Sequence, residues 1–258
     1  MEDTRAQDEF LSQFPDEELH PDLAEYLTTE SVGRDQWPML QHPLVYAVPY
    51  MPQMNHWHNN ALKQKREMLS RATKAGDWSS YLFLHERPYR FQALVEVASH
   101  EGDRITKNEL WALIRDVWVD SENIWQNEAG WAYLFGRQGS FAMMDDDEYQ
   151  ALQAMQGTPF SIYRGWSLED RKWGWSWTLD QERAEWFAKR FGDRGFVTRI
   201  EDVPVGWVTA YITSRNEEEI IVNPKFLQEK PSSTWDVNKG RKLRTTRASD
   251  IDPDGPNY

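Results

Sequence analysis

Glu217-Glu218-Glu219-Ile220-Ile221-Val222 is the stretch on which the reading of this chain turns. Three consecutive acids run straight into a β-branched apolar triplet, the composition of a strand entering a core. Along an extended chain, residues two apart share a face, so Glu217 and Glu219 are expected to point one way and Glu218 the other. Carboxylates held that close repel unless a cation or hydrogen-bond donors compensate them. A solvated strand entry is the plain alternative; a compensated pair at a core edge is the functional one.

Two shorter pieces stand upstream of it. Tyr163-Arg164-Gly165 ends an apolar run with a guanidinium, whose planar fork of donors suits a pyrophosphate better than a lysine would. Gly165 would let a ligand approach the backbone closely. Ser176-Trp177-Thr178 sets two hydroxyls on one side of a short strand and an indole on the other. Between 157 and 222 the pattern is of short β runs, at 160–164, 173–178, 196–200, 205–212 and 220–222. One helix interrupts them. Thr178 and Gln181 read as its capping box, Ala184, Phe187, Ala188 and Phe191 as its buried stripe, and Gly192 as its stop. With Thr178 assigned to the cap, Ser176 is the freer hydroxyl.

The N-terminal half reads differently. Residues 1–40, with Pro15, Pro21 and Pro38, suggest an acidic, loosely ordered arm or short helices, and the prolines at 43, 49 and 52 suggest an extended packed segment. From about 60 to 156 the helical period dominates. Phe91, Leu94, Val95 and Ala98 form one stripe. Thr106 and Glu109 frame a capping box ahead of a second, Leu110, Leu113, Ile114 and Val117. Asp145 to Glu148 are four acids placed to complement a helix dipole. Trp111, Trp118 and Trp125 recur every seven residues and are expected on one helix face, as packing or as a surface for bases or a partner helix. The expected organisation is an arm over 1–40, a mainly helical domain over 41–156 and a small mixed-sheet domain over 157–258. The class is α+β.

Composition narrows the chemistry. There is no cysteine, which removes disulfides, thiolate metal sites and a cysteine nucleophile, and fits a cytoplasmic setting. No apolar run approaches the roughly 18 residues of a membrane span, so no membrane partner is expected. The acidic start does not resemble a signal peptide. The net charge is −13, but residues 1–35 hold eleven acids and two arginines, so −9 of it lies there. Residues 239–247 carry five basic residues and no acid, a solvated face or a surface for an anionic ligand or nucleic acid. His56 and His58 form the one close histidine pair, and no metal is expected to bind there.

The ordered set of Arg164, Ser176-x-Thr178 and Glu217-x-Glu219 resembles the Arg-Ser-Glu class of mono-ADP-ribosyltransferases, which includes cholera toxin, clostridial toxins and ecto-transferases. The likeness covers about residues 158–224. Trp177 stands within the motif, where Ser-Thr-Ser is the common form. The resemblance implies NAD as co-substrate, with Arg164 on its diphosphate and the Gly165 backbone by the nicotinamide amide. Ser176, Trp177 and Thr178 would complete the NAD-binding surface. It further implies that Ser176 holds Glu219, that Glu219 grips the ribose 2′-hydroxyl, and that Glu217 orients or deprotonates the acceptor. The loop 213–216 would contact that acceptor, with protein arginine favoured slightly over RNA or DNA. Members are often toxins or phage effectors, so a regulator or antitoxin is an expected partner. NAD glycohydrolysis and a non-catalytic tryptophan-rich module on a degenerate scaffold are the rival readings. Trp166, Trp175 and Trp177 are candidates to exclude water, and Trp186 and Phe187 are expected in the core.

Overall fold

The computed structural model describes residues 17–32, 35–100, 102–122, 124–190, 194–214, 217–238 and 241–246. The chain divides into two units, one ending at Thr106 and the other starting at Lys107. Both mix helices and strands, in keeping with the α+β class.

In the first unit, helix α1 (Pro21–Ala24) leads into an antiparallel sheet of β1 (Leu27–Val32), β2 (Asp35–His42) and β3 (Val45–Ala47). This ordered sheet replaces much of the loose arm expected before residue 40; residues 1–16 lie outside the described residues. Leu23, Leu40, Leu44, Val45, Tyr50 and Leu62 form its core. Helices α2 (Asn55–Ala75), α3 (Trp78–Leu84) and α4 (Arg90–Ala98) follow. Gly76 ends α2 in the left-handed conformation that glycine adopts without strain, and the Asp77 carboxylate caps α3 by accepting from the Ser80 N–H. His56 lies 2.8 Å from a Glu17 carboxylate oxygen, and His58 rests by the Tyr50 ring. Among the described residues no group of three or more His, Asp or Glu is placed to hold a metal. No helix among them is long and apolar enough to cross a membrane.

The second unit begins with α5 (Lys107–Asp120), α6 (Glu128–Phe135) and α7 (Asp146–Ala154). Leu110, Leu113, Ile114 and Val117 are buried as their spacing requires. The heptad tryptophans part company, because α5 ends at Asp120. Trp111 and Trp118 are buried, while Trp125 sits in a separate 3-10 turn and is 46% exposed. The acids at 145–148 do begin a helix. Asp145 is its cap, and Asp145 and Glu148 exchange the reciprocal bonds of a capping box.

Among the described residues, seven strands complete this unit: β4 (Phe160–Trp166), β5 (Ser176–Thr178), β6 (Phe196–Val203), β7 (Val208–Ile212), β8 (Glu219–Val222), β9 (Ser232–Asp236) and β10 (Arg241–Thr246). Their order is β10-β9-β6-β4-β5-β8-β7, and every pairing is antiparallel, not mixed as expected from sequence. Short strands and connections favour antiparallel neighbours, since parallel strands need long crossovers. Leu152 of α7 packs with Ile162, Trp177, Ile200, Tyr211, Ile220 and Val222 in the main core. The helices of 107–156 thus belong with the sheet rather than with the preceding helices. The change of periodicity near 157 marks a change of element type, not the edge of a core.

Helix α8 (Gln181–Lys189) packs on the sheet through Ala184, Ala188 and Val197. Its cap is Asp180, which accepts from the Glu182 and Arg183 N–H groups, and not Thr178. Phe187 is partly buried, and Phe191 and Gly192 lie outside the described residues. Trp186 is exposed rather than in the core. A short helix α9 (Pro224–Gln228) joins β8 to β9. Part of the basic stretch, 241–246, is the strand β10; residues 239, 240 and 247 lie outside the described residues.

Candidate active site

β4 and β5 meet at a single residue pair, Tyr163 with Thr178, whereas β4 and β6 share six. The sheet is close to splitting there, and Arg164 bridges the split. Its Nη1 donates to the Ser176 carbonyl at 2.5 Å and its Nε to the Arg171 carbonyl at 3.2 Å. Burial pulls the guanidinium down to a pKa of about 10, opposed by the charges of Glu219 and Glu128. It therefore stays charged at neutral pH. Gly174 lies so near that a Cβ there would fall 2.6 Å from Arg164 Nη2. No local pattern marks this glycine, because its need arises from a side chain ten residues away.

Glu219 opens β8 and is 6% exposed. Both of its carboxylate oxygens accept hydrogen bonds. The Ser176 hydroxyl donates to Oε1, and the Trp118 indole N–H donates to Oε2 at 3.0 Å. Ser176 reaches it because β5 and β8 are paired in register, Thr178 opposite Glu219 and Ser176 opposite Ile221.

Glu217 stands apart from that geometry. It precedes the strand, and Glu218 has a φ of +43°. Strict alternation is broken at that residue, so the expectation that Glu217 and Glu219 share a face of one strand does not hold. Glu217 is half-buried and its carbonyl accepts from the Thr178 hydroxyl at 2.7 Å. That hydroxyl also accepts from the Asp180 N–H at 3.0 Å. Thr178 thus ties the chain before Glu219 to the turn before α8.

Gly165 and Trp177 have roles inside the fold. A Cβ on Gly165 would lie 2.1 Å from the Ala184 carbonyl oxygen and 2.6 Å from the Ala188 nitrogen, so its missing side chain admits α8 to the sheet. Trp177 is 2% exposed within the main core, and its indole N–H donates to the Gly174 carbonyl at 2.8 Å. The alternation that puts Ser176 and Thr178 on one face turns Trp177 to the other. Trp166 is likewise buried, stacked on Phe196 with its N–H on the Thr198 hydroxyl.

The comparison with family models, curated proteins and solved structures has one result. None of them matches this chain.

Two features of the site came from outside the three motifs. Trp118 touches Trp131 edge-on at 4.9 Å and Phe135 at 5.3 Å, and Phe135 touches Trp175 at 5.0 Å. An aromatic cluster thus backs Glu219 and limits the water around it. The second is Glu148, 1% exposed. It pairs with Arg115, with Nη2 to Oε1 at 3.0 Å, and accepts from the Thr213 N–H and hydroxyl at 2.7 and 3.1 Å. The chain leaving β7 is anchored there. Residues 215 and 216 of the expected acceptor loop lie outside the described residues. The run of acids at 145–148 was legible as a helix start, but nothing in it singled out Glu148.

Proposed function

We propose that this chain is an NAD-dependent mono-ADP-ribosyltransferase whose second unit breaks the nicotinamide–ribose bond and passes ADP-ribose to a macromolecule. The observation that carries the reading is Glu219: a buried carboxylate, hydrogen-bonded at both oxygens, in the electrostatic field of Arg164. Arg164 has the chemistry to hold a diphosphate, and its charge is supported by the acids around it. Glu219 has the chemistry to accept from a ribose 2′-hydroxyl, a bond that strengthens as positive charge develops on the sugar.

The C1′–N bond breaks with its electron pair moving to the pyridinium nitrogen, so nicotinamide leaves neutral and the sugar becomes oxocarbenium-like. An acceptor nucleophile then forms the new bond at C1′ and gives up its proton. Glu217, next to the site through the Thr178 contact, is the proposed base or orienting group. A guanidinium is the favoured acceptor, since a second carboxylate would orient that cation, with nucleic acid second. Gly165 serves this site by admitting α8, and Trp177 by supporting β5 from the core side. A cytoplasmic location and control by a regulator or antitoxin fit the reading.

Isotopically labelled NAD incubated with the protein and a cell extract tests it, with protease and nuclease digestion of the product. Protease-sensitive label is the expected result. Nuclease-sensitive label would move the acceptor to nucleic acid, and free ADP-ribose alone would make the protein a glycohydrolase. No label with no nicotinamide release would refute the enzyme reading.

A further inference from the structure

We infer that Trp118 is a positioning residue for Glu219, setting the direction and the ionisation of that carboxylate through its indole N–H. The inference rests on the proposed transferase reading for its catalytic consequence, but not for its geometry.

Trp118 lies 101 residues before Glu219 and is fully buried on α5. A buried indole N–H needs an acceptor, and here the acceptor is a charged one, Glu219 Oε2 at 3.0 Å. Ser176 holds the other oxygen, so the two donors fix the carboxylate plane from different elements, β5 and α5. The ring itself is clamped by Trp131 and Phe135 of α6. Ser176 has a rotatable hydroxyl; the clamped indole does not move without the cluster.

The N–H can only donate, so it favours the ionised carboxylate over the acid. The charges around the site act on the same equilibrium. Arg164 on β4, whose charge is coupled to that of Glu219, favours ionisation, while the sequence-adjacent Glu217 and Glu218 oppose it. Deleting the indole N–H should therefore raise the pH at which Glu219 becomes ionised.

Trp118→Phe keeps a ring against Trp131 and Phe135 and removes the donor. The expected result is a fall in kcat for NAD cleavage of about ten-fold or more, with KM for NAD changed less than about two-fold. The acid limb of the kcat profile should move up by about one pH unit. Trp111→Phe is the control. Trp111 is equally buried on α5, and its N–H donates to the Gln138 carbonyl at 3.2 Å, away from Glu219. It should lower the melting temperature and leave the pH profile in place. If Trp118→Phe behaves like Trp111→Phe, Trp118 is packing alone and the inference is overturned.

A second readout separates this from failure of the transferase reading, and serves if Trp118→Phe does not fold. In the wild-type protein one tryptophan indole 15N–1H signal should titrate together with the Glu219 carboxyl 13C signal. In Glu219→Gln that pH dependence should vanish. Nicotinamide release from wild type with no such indole response would overturn the inference and spare the function. The response without NAD cleavage would do the reverse.

Discussion

Glu148→Gln should destabilise the second unit sharply, and the loss should depend on pH. Glu148 is buried, and its oxygens accept from Arg115, from the backbone of Asp145, and from the backbone and hydroxyl of Thr213. Burial is the largest single influence on its carboxyl and would raise the pKa. The hydrogen bonds from Arg115, Thr213 and Asp145 outweigh it and hold the pKa below the ordinary 4.5. Arg115 is shifted the opposite way, upward, chiefly by the same bond. Removing the charge leaves Arg115 with a neutral amide and costs about 3–5 kcal/mol, as for other broken buried pairs. For a chain of this size that corresponds to a fall in melting temperature of roughly 6–20 °C.

The sign of the pH effect follows from the lowered pKa. The carboxylate's contribution is complete above the unfolded value near 4.5 and is lost as pH falls through the folded value. The gap between wild type and variant should therefore be full at pH 7 and close progressively below about pH 4.5. Calorimetric melts across that range measure it. A gap below about 1 kcal/mol at pH 7, or one that stays constant on acidification, would refute the claim that this pair anchors the chain after β7.

Gly165→Ala should cost about 1–3 kcal/mol or more, seen as a lower urea midpoint, because the new methyl meets two backbone groups of α8 that have no rotamer to yield. Gly174→Ala should act on function as well. Its methyl would displace the Arg164 guanidinium, so the KM for NAD should rise about ten-fold or more, and the melting temperature should fall with the loss of the bonds to the Ser176 and Arg171 carbonyls. Glu217→Gln should reduce transfer to the acceptor by at least about ten-fold while NAD hydrolysis falls much less. Equal losses in labelled acceptor and free ADP-ribose would argue against an acceptor role.

Local rules made part of this fold legible. The stripe of Leu110, Leu113, Ile114 and Val117, the acids that start α7 and the apolar strand after Glu219 all depend on near neighbours, and each is found where its pattern put it. The pairing of Ser176 with Glu219 was legible only through the family resemblance. What escaped depends on partners distant in sequence. Ser232–Asp236 and the basic stretch at 241–246 become strands because β6 offers an edge to one and β9 to the other, against a polar composition that does not itself suggest a sheet. Asp180 displaced Thr178 as the α8 cap because the Thr178 hydroxyl is occupied by Glu217 and Asp180 backbone groups.

The site divides in the same way. Arg164, Ser176 and Glu219 were readable as residue types, and they do converge. Trp118 and Gly174 were not, because an indole at helical spacing reads as packing and Gly174 falls inside the expected β run 173–178. Glu217 departs from the expected facing for one local reason, the positive φ at Glu218, which no alternation rule anticipates.

The most direct test of the central claim is nicotinamide release from NAD by wild type and by Glu219→Gln, with NAD binding measured alongside by calorimetry. The account predicts that wild type releases nicotinamide, and that the variant binds NAD within about five-fold of wild type but turns it over at least about a hundred-fold more slowly. Turnover in Glu219→Gln equal to wild type, or NAD binding by neither protein, would contradict it.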